Sequence, residues 1–293
     1  MNPTTLPMPG KTRSAHETRD RDLFDKIAAA YCRKDLIPAC RTARRQRIER
    51  TLACVPVGPE ISMLEAGCGA GFAATYLDGK YSAYRGEDHS AKLIEYARAH
   101  NAGTRASFDV ANIKDYNPRR RFDVILMIGV LHHLDEIPLA VRNLIRLLRP
   151  GGWLVCNEPQ PTNPLIRLAR RVRKRIDAQY SNEQIELSAA ELRELFTRFG
   201  LIDIRTRPQG LFSTPFAEVP MGPQPITRSL AKAACLVDTA LESMFGRLLQ
   251  RVSWNVVAAG QKPANAPWTM GKPPDTQGRV ERRAVARATT VHT

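Results

Sequence analysis

The sequence predicts an α/β fold, a mostly parallel sheet with helices on both faces, and three observations predict it. Short apolar runs that read as strands alternate with helical patterns through the middle of the chain. The first strand runs straight into a glycine-rich turn within Ile61-Ser-Met-Leu-Glu-Ala-Gly-Cys-Gly-Ala-Gly71. A carboxylate, Asp88, then stands at the end of the next strand, about 20 residues past the turn, which is the length one βαβ unit takes.

Taken in order, Met1 to about Asp20 is polar and is expected to be flexible. Leu23, Phe24, Ile27, Ala28 and Tyr31 recur at helical spacing, and a second, basic helix follows Pro38 and carries Ile48 and Leu52. Strands are predicted near 61–66, 83–87, 105–109, 122–127 and 152–158, with helices near 71–78, 90–100 and 136–148. Leu165, Leu168, Ala169, Val172 and Ile176 stripe one face of a further helix whose remainder is Arg167, Arg170, Arg171, Arg173, Lys174 and Arg175. A solvated helix packed on the domain is the preferred reading of that segment; an acidic substrate or a peripheral membrane-surface contact is the alternative. Ser188-Ala-Ala-Glu191 is a capping-box start for a helix through Phe199, and Leu201 to Thr206 reads as a sixth strand.

Leu230, Ala233, Ala234, Val237, Leu241, Met244, Phe245 and Leu248 then recur over a long helix. Core packing is the expectation for most of that stripe, which is also wide enough to roof a pocket or meet a second copy in a homodimer. Ser253 to Ala258 fits a seventh strand. The segment 263–293 is rich in Pro, Ala, Thr, Gly and Arg, poor in large apolar residues, and expected to be a disordered basic tail. The expected organisation is therefore a flexible 1–20, one domain over 21–262 with helical insertions at about 160–187 and 209–250, and the tail.

Composition bounds the function. At 293 residues one catalytic domain with peripheral additions is expected. The six cysteines, at 32, 40, 54, 68, 156 and 235, lack zinc-type pairing and any dense framework, which implies a reducing, cytoplasmic setting. The start has no apolar core for a signal peptide, and no stretch reaches the roughly 18 apolar residues of a membrane span. No metal is expected, because His16, His89, His100 and His292 lack partners at ligand spacing. The formal charge of +15 suits an anionic partner of some kind.

The glycine turn carries the most chemistry. Gly67, Gly69 and Gly71 let the backbone take positive φ and approach a ligand. A dinucleotide fingerprint would need glycine at 72, which is Phe, and Glu65 would repel a pyrophosphate. An acidic residue there suits a cationic ligand.

This turn resembles the first motif of class I S-adenosylmethionine-dependent methyltransferases: an acidic residue, any residue, then Gly-x-Gly-x-Gly. Tyr84 to Ser90 resembles the end of that family's second strand and Ala106 to Val110 the end of its third. Phe122 to Met127 resembles the fourth, and Leu148 to Val155 the turn into the fifth. The resemblance covers roughly 60–260 and implies a Rossmann-like seven-stranded sheet with its last strand antiparallel, N-terminal helices and helical insertions forming a substrate cap, and S-adenosyl-L-methionine as cofactor. It implies that Asp88 takes the ribose hydroxyls and Asp109 the adenine amide. Glu65, Gly67, Cys68, Gly69, Gly71, His89, Val110 and Ile128 complete the implied cofactor set. It further places His132 and His133 in the loop after strand four as base candidates, His133 first, with Glu158 at the end of strand five as a base or acceptor ligand.

The implied activity is O-methylation of a small-molecule, lipid-like or carrier-bound metabolite. An RNA or protein methyltransferase, or a cofactor-binding subunit without turnover, is the alternative. Nucleic acid is disfavoured as substrate, because Met127-Ile128-Gly129-Val130 replaces the Asn-Pro-Pro-Tyr-type sequence of many base-methylating relatives, and aromatics make up only 6% of the chain.

Overall fold

The computed structural model describes residues 14–161, 163 and 186–264. Two helices lead, α1 (Ala15–Leu36) and α2 (Pro38–Leu52). There follow β1 (Ser62–Ala66), α3 (Phe72–Tyr76), β2 (Ala83–Asp88), α4 (Ala91–His100), β3 (Ala106–Val110), β4 (Phe122–Ile128), a short 3-10 turn (Leu131–His133), α5 (Ile137–Leu147) and β5 (Leu148–Pro159). The chain continues with α6 (Ala189–Arg198), β6 (Ile202–Gln209), α7 (Thr214–Glu218), α8 (Gln224–Leu249) and β7 (Asn255–Gln261).

The strands form one seven-stranded sheet in the order β3-β2-β1-β4-β5-β7-β6. The first five pair in parallel and β7 runs antiparallel between β5 and β6. Successive side chains of a strand leave on opposite faces, so a sheet covered on both sides needs apolar residues at every position. β1 is buried along its whole length, and its two polar residues are hydrogen-bonded, Ser62 to Asp123 and Glu65 to the Tyr84 hydroxyl. Leu64, Ile125 and Leu154 enter a core shared with Val141 and Leu144 of α5 and Phe196 of α6. Their neighbours Met63, Val124 and Val155 enter a second core, against Leu52 of α2, Ala74 of α3 and Ile94 of α4. The Rossmann-like expectation and the antiparallel last strand are both observed.

Local signals explain where the helices start. Ser90 caps α4 by accepting from the Leu93 N–H, and Ser188 and Glu191 form both halves of a capping box at α6. Pro38 opens α2, where a missing N–H costs nothing.

Two expectations need correction. α1 begins at Ala15 rather than beyond Asp20, because Ser14 caps it by accepting from the Glu17 N–H. α8 does not bury most of its apolar stripe: Leu230, Val237, Met244, Phe245 and Leu248 are exposed, while Ala234 is buried. Its packed side, toward α2 and β6, is instead formed by small and polar residues, with Ala231, Cys235, Asp238 and Glu242 all buried. The basic helix expected at 165–176 and the tail from 265 onward lie outside the described residues. Among the described residues no helix is long and apolar enough to cross a membrane. All six cysteines are buried and free.

Candidate active site

The strand order reverses between β1 and β4, and the carboxyl ends of strands at such a switch point leave a crevice. A cavity occupies that crevice. Gly67 and Gly69 of the glycine turn and Glu87, Asp88 and His89 at the end of β2 form one side. Ala111, Asn112 and Ile113 after β3, with Ile128, Gly129, Val130 and His133 after β4, form the other. α1 closes it with Glu17, Asp20, Phe24 and Tyr31.

The glycine turn is shaped by contacts on both sides. Gly67 has φ +70°, and a Cβ there would sit 2.5 Å from Val130 Cγ2, so only glycine lets the turn meet the loop after β4. Gly71 serves packing: a Cβ on it would lie 2.8 Å from Ala97 Cβ and from Phe108 Cε1, and it does not line the cavity. The end of β2 splints the turn, since the Cys68 N–H donates to the Glu87 carbonyl and the Gly69 N–H to Asp88 Oδ2, both at 2.9 Å. The Cys68 thiol points away from the cavity wall, donates to the Gly69 carbonyl at 3.6 Å, and is pushed far up by burial. It fills space.

Three buried carboxyls surround the turn. Asp88 accepts from the N–H groups of Gly69 and Ser90, and burial raises it above the usual carboxylate range in spite of those bonds. Glu87 is 1% exposed, lines the cavity, and its Oε1 has no hydrogen-bond partner. Burial, with Asp88 beside it, pushes it well above its ordinary value. Glu65 lies below the turn, accepts from the Tyr84 hydroxyl, and is pushed up to about 8 by burial, with Asp88 and Asp35 adding to the shift. Like charges in a low-dielectric site resist ionisation until a cation joins them. An orphaned buried acceptor and a glycine cradle therefore suit a ligand carrying positive charge and hydroxyl donors, as a sulfonium nucleoside does.

The structure relocates several expected residues. Glu65 does not reach the cavity wall, because alternation along β1 turns it toward Tyr84. Asp109 points away: Arg85 Nε donates to its Oδ2 at 2.7 Å and the Tyr116 hydroxyl donates to the same oxygen. Burial works to raise the Asp109 carboxyl, but those two bonds hold it below the usual range. It is spent on an ion pair, so Asn112, two residues beyond β3, is the polar side chain that the cavity receives there. Val110 is 47% exposed and stands off the cavity. Asp88, His89, Ile128, Gly67 and Gly69 are brought together as expected.

Glu158 is not free to act as a base. It is 1% exposed, and its carboxylate accepts from the N–H groups of Val130 and Leu131, both at 2.9 Å, and of His132 at 3.4 Å. His132 Nδ1 lies 2.8 Å from Glu158 Oε2, the oxygen that also accepts from the His132 N–H. Glu158 thus caps the turn after β4 and fixes His132 beside it, and neither lines the cavity. His133 does. Its Nδ1 lies 3.2 Å from Asp20 Oδ1, an arrangement that favours the proton on Nδ1 and leaves Nε2 as the basic nitrogen. Burial works to raise the Asp20 carboxyl, and the His133 bond with the charges of His133, His89 and His16 outweighs it, leaving Asp20 below its ordinary value.

N-terminal helices were expected to form a cap, but the α1 side chains that line the cavity, Glu17, Asp20, Phe24 and Tyr31, were not among the expected site residues. Lys114 pairs with Glu17 at 2.9 Å and Glu136 at 3.1 Å, and Ser90 Oγ donates to Asp25 at 2.6 Å, which fasten the helix over the cavity. The signal that could have found it is Ser14-Ala-His-Glu17, a capping-box pattern inside the polar start.

Comparison with known proteins agrees with this geometry. Residues 64–156 match the family model described as a methyltransferase domain. A ubiquinone biosynthesis O-methyltransferase of Bradyrhizobium sp. (strain ORS 278) is 30% identical over 119 residues, 40% of this chain and 45% of that protein. The match thus spans less than half of that relative's length. A chain of the complex between the Trm112 methyltransferase activator and a methyltransferase of Haloferax volcanii shares the fold, with TM-score 0.60 and 18% identity over 84% of this chain and 99% of that one. So does an S-adenosylmethionine-dependent methyltransferase of Thermotoga maritima, with TM-score 0.57 and 20% identity over 82% and 98%.

Proposed function

We propose that this chain, which carries a class I S-adenosylmethionine-dependent methyltransferase domain, moves the cofactor's methyl group to an oxygen of a small-molecule, lipid-like or carrier-bound acceptor. The O-methyltransferase relative supports the choice of oxygen. The observation that carries the mechanism is His133, on the cavity wall and held by a buried carboxylate.

When bound, the cofactor supplies an electrophilic methyl on a sulfonium with a neutral thioether as leaving group. Glu87, Asp88 and Asn112 are the polar side chains that would hold it, and the backbone of Gly67 and Gly69 admits it. His133 would take the proton of an acceptor hydroxyl at Nε2, while Asp20 would keep the proton on Nδ1 and stabilise the imidazolium that forms. Phe24, whose ring centroid lies 5.4 Å from that of His133, shields the pair from water. The rest of the rate comes from alignment.

A panel of phenolic and catecholic acceptors with radiolabelled methyl donor tests this. His133→Gln should lower kcat by about 10²–10⁴ with cofactor affinity little changed, and His132→Gln should lower it far less. Wild-type-like turnover by His133→Gln would remove the base from the mechanism, and failure of the wild type to bind S-adenosylhomocysteine in calorimetry would remove the cofactor.

A further inference from the structure

Two kinds of contact hold α1 over the cavity. From Ala28 onward the helix is packed: Ala28 and Cys32 join Ala70 and Leu93 in a small apolar cluster, and Asp35 accepts from Arg44 and, at 2.8 Å, from the Tyr76 hydroxyl. Ahead of Ala28 its only buried residues are the acids Glu17 and Asp20. Those first turns are fastened to the cavity rim by polar groups from three strand ends. After β2, Ser90 Oγ donates to Asp25 at 2.6 Å and His89 Nε2 lies 3.9 Å from Asp20 Oδ2. After β3, Lys114 Nζ lies 2.9 Å from Glu17. After β4, His133 Nδ1 lies 3.2 Å from Asp20 Oδ1, and Asp135 meets His16 at 3.1 Å and accepts from the Ser14 hydroxyl. A helix anchored by apolar packing at one end and by charge at the other opens at the charged end.

Three imidazoles sit in that charged half. His133 addresses one oxygen of Asp20 and His89 the other, while His16 faces Asp135 and its charge also reaches Asp20. The other charged groups around them are Asp88 and Glu87 on the cavity wall, Glu158, which holds His132 against His133, and Lys114 between Glu17 and Glu136. Imidazole is the side chain that gains charge between pH 8 and pH 6. A proton added there turns a contact with Asp20 into an ion pair in a site screened little by water. A proton lost leaves Asp20 beside the carboxyls of Asp88 and Glu87, which repel it once ionised. We propose that the first three turns of α1 are a proton-operated latch, shut over the cavity when His89 and His133 are charged against Asp20 and released when they are neutral. Its consequence for turnover rests on the methyltransferase reading above: His133 gains the acceptor's proton, so the latch is tightest with the products inside, and loss of that proton to solvent frees them.

The experiment is amide hydrogen exchange, read by mass spectrometry on the ligand-free full chain, because an undocked helix end frays and exchanges. It uses neither cofactor nor acceptor, so a chain that fails to bind S-adenosylhomocysteine sinks the proposed function and leaves this test standing. After correction for the intrinsic pH dependence of exchange, the amides of 18–26 should lose roughly tenfold or more in protection between about pH 6 and about pH 8.5, while those of 28–36 change less than about twofold. Asp20→Asn keeps the shape of the side chain and removes its charge, and should show the high-pH protection already at about pH 6. The double variant His89→Gln/His133→Gln should be flat to within about threefold, His16 supplying the remainder. If Asp20→Asn fails to fold, the histidine variant decides. Protection of 18–26 that does not change with pH in the wild type overturns the latch. So does a wild-type profile in the variants, which would assign the titration to Asp88 and Glu87.

Discussion

Glu87 and Glu158 are the penultimate residues of β2 and β5, strands that end on the same edge of the sheet, and each is 1% exposed. Around Glu158 the turn after β4 folds back and directs three backbone N–H groups and an imidazole at the carboxylate. Around Glu87 the glycine turn brings the Gly67 N–H to the carboxylate, and Oε1 is left without a partner in a residue that lines the cavity. Residue type, strand position and burial are the same, so the number of donors supplied by the neighbouring loop decides whether a strand-end carboxylate is a structural peg or a ligand site. Buried acceptors are normally satisfied, so an unpaired one on a residue of the cavity wall points to what the molecule binds.

Removing the peg should have the largest effect. Glu158→Ala strands several buried donors, each costing about 1–3 kcal/mol, so stability in denaturant should fall by at least about 3 kcal/mol. Glu87→Ala, which strands far less, should fall well short of that. Equal losses in the two variants would erase the distinction drawn between the strand ends.

The site itself is the next target. Asp88→Ala removes a carboxylate that both splints the glycine turn and faces the cavity. Charge-assisted hydrogen bonds of about 1.5–3 kcal/mol translate into roughly 10–100-fold weaker binding of S-adenosylhomocysteine, read by calorimetry on a folded variant. Unchanged affinity would leave Glu87 as the carboxylate that matters at this strand end.

How much of this was legible in the sequence follows from which signals are local. The strands and the glycine turn were readable because each is a short run with its own pattern, and the cofactor side of the cavity is built from those strand ends. Asp109 fitted its motif, but its fate depended on Arg85 of the adjacent strand, and a motif match does not report which face a strand residue takes. Glu158 and His132 sat where catalytic groups were expected, and only the return of the turn after β4 shows that they hold each other. α8 misled because periodicity finds an apolar stripe without saying whether it faces in: the buried side uses Asp238 and Glu242, which read as solvent-facing, as acceptors for backbone amides of the segment after β6. α1 was underestimated because its contribution is made of ion pairs across long sequence separations, Glu17 with Lys114 and Asp20 with His133.

The smallest expected effect tests why carboxyls cluster at the cofactor end at all. Glu65 is raised from an ordinary 4.5 to about 8 in the folded protein, chiefly by burial. A folded value above the unfolded one means the protonated form is the one the fold favours. The corresponding stability is complete below about 4.5 and is lost as pH rises toward about 8. Glu65→Gln keeps an oxygen that can accept from the Tyr84 hydroxyl and removes the ionisable group. It should therefore melt like the wild type near pH 4 and be more stable by on the order of 2 kcal/mol near pH 8 in ligand-free protein. A cationic ligand should shrink that advantage, because it favours the ionised wild-type carboxyl and gains nothing from the amide. If the two melting curves stay parallel from pH 4 to pH 8, Glu65 does not titrate with folding, and the acid cluster must be ionised throughout by pairing that lies elsewhere in the protein.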